Sequence, residues 1–468
     1  MRCRSLVAFL FLFHGVYTVQ TYGQVVATWN GGTGNWSNSA NWNPATVPNN
    51  SGSTTYNVGI SSSGSAVTMD VLDDTINNLT LGTTTSLNIG FGNRLSLVSG
   101  ASSNSGSINN RGVLTNDGAF ANSGILMNQV GRVNNNGTFA NTGTVMDQMS
   151  NFNNFGTLTN AGTYTSADST LSNSGTVTNA SSMSFTHGGI VNSGNFVNSG
   201  TISASNFGSI ENSGAFTNSG NVSLGVISVL NNSGSLINSG TITTSASLST
   251  QVINSGAFLN SGTFLNAGQM SNTGTFTNSG AVTISTSGIF TTSTNYTQAA
   301  GSTAVNGTLT ATNGAIVNIQ GGILSGTGTI NGNVLMAGTL MPGDAPGTLA
   351  VFGNYEQTSK GTLEELMSPL AHSFFDVHGN VVLDPGASLQ ISLLDGFNPL
   401  GQTFSIMDFS SLTGQFASLS FWDDGYLWDI TYGQHEIDVT AVQAPEPGSL
   451  LLLAIGSLAL AAFALRKK

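Results

Sequence analysis

The chain has one cysteine, Cys3, close to its first residue. The body therefore has no disulfide framework and no thiol chemistry, whatever the redox state of its surroundings. Charge is almost as scarce: Asp, Glu, Lys and Arg make up 6% of the residues, where about a quarter is usual. The deficit falls hardest on cations. Nine Lys and Arg stand against 21 Asp and Glu, and Arg2, Arg4, Arg466, Lys467 and Lys468 lie at the two ends. Only Arg94, Arg111, Arg132 and Lys360 remain for everything between. So acidic a surface cannot neutralise phosphates, which excludes nucleic acid as a partner.

Marks of catalysis are also missing. There is no Gly-x-Ser-x-Gly elbow and no phosphate-binding loop. His187, His372, His378 and His435 are dispersed, without zinc-ligand spacing. Neither an Asp-x-Asp-x-Asp-Gly loop nor a Gly-Gly-x-Gly-x-Asp repeat is present, so no metal or other cofactor is expected. Between residues 113 and 300 the charged residues are Asp117, Arg132, Asp147, Asp168 and Glu211. Polysaccharide lyases and hydrolases need clustered carboxylates, often with a basic neighbour. These scattered residues read as surface decoration, so no catalytic residue is assigned and the expectation is a non-enzyme. A hydrolase or lyase would instead lose activity when Asp147 or Asp168 became Asn.

What is abundant is regular. From Asn116 to about Val282 the unit Asn-x-Gly-x-apolar-x recurs, mostly in pairs that begin at Asn116, Asn135, Asn154, Asn173, Asn192, Asn212, Asn232 and Asn254. The steps are 19, 19, 19, 19, 20, 20 and 22 residues. Such a period with short apolar strands predicts an all-β protein, a parallel β-solenoid of 19 to 20-residue, three-strand coils. Three apolar columns keep the register, beginning at Phe120, Leu126 and Leu114 and repeating coil by coil to Phe258, Phe264 and Val252. Asn and Gly are expected at the corners, where a sharp turn needs left-handed backbone. Stacked Asn side chains are expected to bond from coil to coil. Right-handed winding is the default for parallel crossovers. An antiparallel sandwich does not explain three columns in one register. After Asn254 the hexads run on through Asn260, Asn266, Asn272 and Asn278, which predicts a shifted or looser coil there.

The flanks differ from the repeat. Trp29, Trp36 and Trp42 lie in a Gly- and Asn-rich segment that resembles the opening of secreted autotransporter-like β-helix proteins. These rings either close the end of the β-helix or stack on sugars; the cap is the favoured reading. Phrases such as Gly326-Thr327-Gly328-Thr329-Ile330-Asn331-Gly332-Asn333 are similar to the C-terminal coils of autotransporter passengers. No membrane barrel follows, so self-export is not expected. Near the end, Tyr426, Trp428, Ile430 and Tyr432 alternate as one face of a strand. Trp422-Asp423-Asp424-Gly425 then reads as the turn before it rather than as a Ca²⁺ or sugar site.

The two ends carry address signals. Arg2 and Arg4 precede an apolar stretch from Leu6 to Phe13 and small residues, the pattern of a secretory signal peptide cut after Gly23 or Ala27. At the other end Pro445-Glu446-Pro447 precedes an uncharged run from Leu450 to Leu465 and a basic terminus. This three-part tail resembles the sorting signal of PEP-CTERM bacterial surface proteins. The resemblance implies an exosortase-type sorting protease as partner, cutting near the sorting motif Pro445, Glu446 and Pro447. At about 1.5 Å per residue the run is a slightly short single transmembrane helix, with its basic end cytoplasmic.

The expected organisation is a signal peptide at 1–23, an N-terminal β cap at 24–112 and the solenoid at 113–340. C-terminal β coils at 341–443, the motif and linker at 444–449, the helix at 450–465 and the basic end at 466–468 complete it. The expected function is that of an exported cell-surface or extracellular-matrix protein, structural or adhesive, with the inner membrane as a partner through its helix. The alternative is a binding module for ice or extracellular polysaccharide. Thr138, Thr157 and Thr176 align as an ice-binding ladder would, although Ala119 and Asn195 interrupt the column.

Overall fold

The computed structural model describes residues 23–343, 345–421 and 426–443. They form a parallel β-solenoid with three sheets as its faces. One coil illustrates all of them: Ala119–Asn122 lies on the first face, Ile125–Gln129 on the second and Arg132–Asn135 on the third. Strand residues alternate in and out, so a four-residue strand sends two side chains inward. Phe120 and Asn122, Leu126 and Asn128, and Val133 and Asn135 are the inward pairs of this coil. The next coil repeats them in exact register, with Phe120 beside Phe139, Leu126 beside Val145 and Val133 beside Phe152. Every residue of the three predicted apolar columns is buried. Successive aromatics meet along the column: Phe196 and Phe216 stack at 5.0 Å with rings 8° apart, and Phe258 and Phe276 meet edge to face at 5.1 Å.

The inward Asn side chains form amide ladders. On the third face Asn116 donates to Asn135 at 2.7 Å, Asn135 to Asn154, and so on to Asn272. On the first face a second ladder runs from Asn104 to Asn278. Each Nδ2 also reaches backbone carbonyls, as Asn154 does to Thr176 at 2.9 Å. Apart from Asn116 Oδ1 at the head of the third-face ladder, the ladder amides are thereby satisfied along the rod, which is the condition for placing them inside.

The expected reason for the repeat glycines is corrected. None of the glycines at Gly137, Gly156, Gly175 or Gly194 has left-handed backbone. They are glycine because coils touch there: a Cβ on Gly156 would overlap the carbonyl oxygen of Gly137, and one on Gly137 that of Gly118. Left-handed backbone is found instead at the corner between the second and third faces, on Val130, Met149, Asp168 and His187. These are the residues that lengthen three hexads to 19. Each donates its amide to the following coil, as Met149 does to the Ala167 carbonyl at 3.0 Å. Longer inserts at the same corner give the steps of 20 and 22.

The expected loosening after Asn254 is also absent. Gln251–Asn254 pairs with Gln269–Asn272 without a slip, and Ala257–Asn260 pairs likewise with Thr275–Asn278. Three hexads with no insert make the coil tighter by one residue and leave the register intact.

The parallel strand ladder runs on across residues 112 and 340. It begins with Gly23–Trp29 paired parallel to Thr54–Ile60 and passes through Arg94–Leu97, paired with Val113–Asn116. It continues from Thr339–Pro342 to Thr362–Met367 and on to Ser388–Leu393 and Ser418–Phe421. Among the described residues the first face holds 20 strands, all parallel rungs apart from Trp42–Asn43. At about 4.8 Å per rung the rod is roughly 85 Å long.

Both ends are closed by antiparallel pairing. At the start, Trp42–Asn43 turns back on Gly23–Trp29. At the finish, Glu436–Gln443 pairs antiparallel with both Thr403–Asp408 and Tyr426–Tyr432. Such caps cover sheet edges that would otherwise template aggregation. Trp428 packs inward from this hairpin, and Ile430 and Tyr432 lie partly buried against the same core. Among the described residues no helix is long and apolar enough to cross a membrane. The signal peptide expected over 1–23 and the helix over 450–465 lie outside the described residues, apart from Gly23.

Candidate functional site

The structure sorts the candidate residues by side of the sheet. Asp147, expected on the surface, is inside: it is 2% exposed. It takes the inward corner position that Asn110 and Asn128 fill in the preceding coils, accepting from Asn128 Nδ2 at 2.8 Å. The buried Tyr164 hydroxyl also donates to it, as does Ser150. Asp168 is exposed on the outer corner and Asp117 is exposed as well. Asp147 and Asp168 therefore do not share a site. Among the described residues, no three His, Cys, Asp or Glu side chains are placed to hold one metal ion.

Among the described residues two further carboxylates are buried, Asp74 and Glu365. Burial pushes Asp74 up to about 7 and Glu365 well above the usual carboxylate range. Burial likewise pushes Asp147 up to about 6, against the hydrogen bonds from Tyr164, Asn128 and Ser150. A carboxyl that holds its proton more tightly when folded is most favourable at low pH, and its contribution is lost as pH rises toward the folded value. For Asp147 that window runs from about pH 4, the ordinary carboxylate value, to about 6. Asp147→Asn keeps an acceptor for Asn128 and removes the charge. It is expected to stabilise the rod by about 3 kcal/mol at pH 8 and by little at pH 4, read as the difference between urea-denaturation curves of wild type and variant. A difference that grows as pH falls would contradict this placement.

The tryptophans are not a sugar platform. Trp29, Trp36 and Trp42 are all buried and meet edge to face, with Trp42 centred 4.9 Å from Trp29 and 4.7 Å from Trp36. The indole of Trp42 donates to the Trp36 carbonyl at 2.9 Å. With no ring face open, they serve as the cap. On the outer first face Thr138, Thr157 and Thr176 do pair in register, and the column begins with Ala119 and passes to Asn195. Thr144 and Thr163 pair on the second face. The regular Thr array is therefore a few coils long.

The grouping of cations escaped the sequence reading. Arg94, Arg111 and Arg132, three of the four cations between the chain ends, line one outer groove. Residue counting hides Arg111, whose intervals of 17 and 21 residues match no repeat step, although Arg94 and Arg132 lie two 19-residue steps apart. The coil register reveals the grouping: Arg94 and Arg132 both pair with Val113, one from each side.

The last described strand ends at Gln443, so the C-terminal tail leaves directly from the closing hairpin. Pro445, Glu446 and Pro447 lie just beyond, outside the described residues. Among curated proteins none matches the chain. The family model for the PEP-CTERM protein-sorting motif matches residues 443–468, which begins where the rod is closed. The chain thus carries, on a β-solenoid, the tail that exosortases recognise and that marks an exported protein sorted to the cell surface.

Proposed function

We propose that the protein is a non-catalytic structural or adhesive rod of the bacterial cell surface or extracellular matrix. It is exported by the signal peptide at 1–23, held in the inner membrane by the helix at 450–465 and cut by an exosortase-type protease near Pro445-Glu446-Pro447. The single observation that carries this reading is the sorting motif at residues 443–468. The form of the cargo supports it: a long rod closed at both ends, whose inner positions are spent on apolar columns and amide ladders.

Of the two signal-cleavage positions, the first strand favours Gly23. Ala27 is buried and pairs with Val58 inside the first rung. A cut after Ala27 would remove most of that strand, whereas a cut after Gly23 spares it. Cleavage after Gly23 is therefore the proposed position. Fractionation of a native host tests the whole reading. Wild type is expected in the surface or medium fraction, and a triple Pro445→Ala, Glu446→Ala, Pro447→Ala variant in the inner membrane. Mature wild-type protein soluble in the cytoplasm would end the proposal.

The second reading is a surface binding module for ice or polysaccharide. The buried tryptophans remove its original sugar site, and the short Thr array gives ice little regular area. What favours a ligand is the arginine groove.

A further inference from the structure

We infer that the groove formed by Arg94, Arg111 and Arg132 is a binding site for a linear acidic polysaccharide bearing carboxylate groups. This rests on the rod being displayed at the surface, but the site is argued from its own chemistry.

The first argument is charge. The chain carries a formal net charge of −12, and its few body cations would sit anywhere if they served only solubility. Three share a groove of about 620 Å³, and all three are exposed. One acid, Asp73, lines the same groove, 4.0 Å from Arg94. The remaining positive charge is therefore in excess. Arg111 is steadied by donating to Gln129 at 2.9 Å.

The second argument is spacing. Arg94 and Arg132 are two rungs apart on one column, about 10 Å along the rod, and Arg111 belongs to the coil between. A file of guanidinium groups, one per coil, suits a polymer that lies along the axis and presents an acidic group at intervals. Guanidinium binds carboxylate through two parallel hydrogen bonds, which fixes orientation as well as charge.

The third argument is the apolar wall. Phe91 and Leu72 are 86% and 80% exposed in this groove, a large cost unless something covers them. Val130 and Met149 also line it, held outward by left-handed backbone at φ 52° and 48°. Following coils fill the same corner with Asp168 and His187. The corner takes left-handed backbone in many coils and is apolar again at Phe207 and Ile227, so what marks this stretch is the apolar corner beside three arginines. Apolar faces of sugar rings stack on such side chains while their carboxylates meet the cations.

Affinity electrophoresis of the purified full chain in native gels containing polygalacturonate tests the inference independently of sorting. Wild type is expected to be retarded in a salt-sensitive manner, and not in gels containing neutral dextran. The variant Arg94→Gln, Arg111→Gln, Arg132→Gln is expected to bind at least tenfold more weakly, with unchanged thermal unfolding because the side chains are exposed. Lys360→Gln, which removes a cation elsewhere on the rod, should bind within twofold of wild type. Equal loss in the Lys360 variant, no retardation of wild type, or equal retardation by single-stranded DNA would overturn the assignment. So would sedimentation showing a wild-type dimer that the triple variant abolishes, which would give the groove to a second copy.

Discussion

Gly156→Ala is expected to destabilise the rod by about 3 kcal/mol or more. A Cβ there would overlap the Gly137 carbonyl oxygen of the preceding coil, and the neighbour is backbone, not a side chain that can swing away. The coils would have to separate locally, breaking the amide bonds from Gly156 to Asn135 and from Thr157 to Gly137. Magnitude separates this account from the turn-based one, since Ala at a left-handed glycine would also destabilise, but by about 1–2 kcal/mol. At a loop glycine with ordinary backbone, Ala stabilises by about 0.4–1 kcal/mol through the unfolded state. Gly59→Ala is the control, because the nearest atom to its added Cβ is a Thr28 methyl at 3.9 Å. It is expected to change stability by under about 0.5 kcal/mol. Urea unfolding of both variants decides the point.

The second large effect is expected of Asn154→Ala, at about 3 kcal/mol. Asn154 accepts from Asn135 and donates to Asn173 and to the Thr176 carbonyl. Its removal strands buried groups in two neighbouring coils, at about 1–3 kcal/mol for each one left unpaired. Solenoid coils contact only their neighbours, so the loss should be local. Hydrogen exchange is expected to accelerate over residues 135–176 and to remain unchanged beyond 230. Asn195→Ala, an exposed position on the outer first face, should behave as wild type. If both asparagines proved equally dispensable, the ladder would not hold the coils.

These two effects show which parts of the fold were legible in the residues. The columns of Phe120, Leu126 and Leu114 identified the coil because burial imposes period and register together. Asn was recognised as a ladder former because its position repeated with the columns. The role of glycine was misread, since a residue without a side chain looks the same whether it permits a turn or a close approach. The insert at Val130, Met149, Asp168 and His187 was invisible for the opposite reason: the position dictates backbone shape and admits almost any side chain. Asp147 looked like decoration because charge usually lies outside, yet it stands in an Asn position of the inner lattice. The arginine groove was missed because Arg111 lies off the column that Arg94 and Arg132 share two 19-residue steps apart, and only the folded corner brings it beside them.

The sorting tail was legible without the fold, and the fold adds where it attaches. Glu436–Gln443 completes the closing hairpin, and the matched motif begins at residue 443. A protease cutting near Pro445-Glu446-Pro447 would release a rod with its cap intact.

Intact-mass measurement of the mature protein from the surface fraction of a native host tests the central claim most directly. The account predicts a chain that starts just after Gly23 and ends near Pro445-Glu446-Pro447, without the apolar run 450–465. A surface protein still carrying Lys468, or one beginning after Ala27, would contradict it.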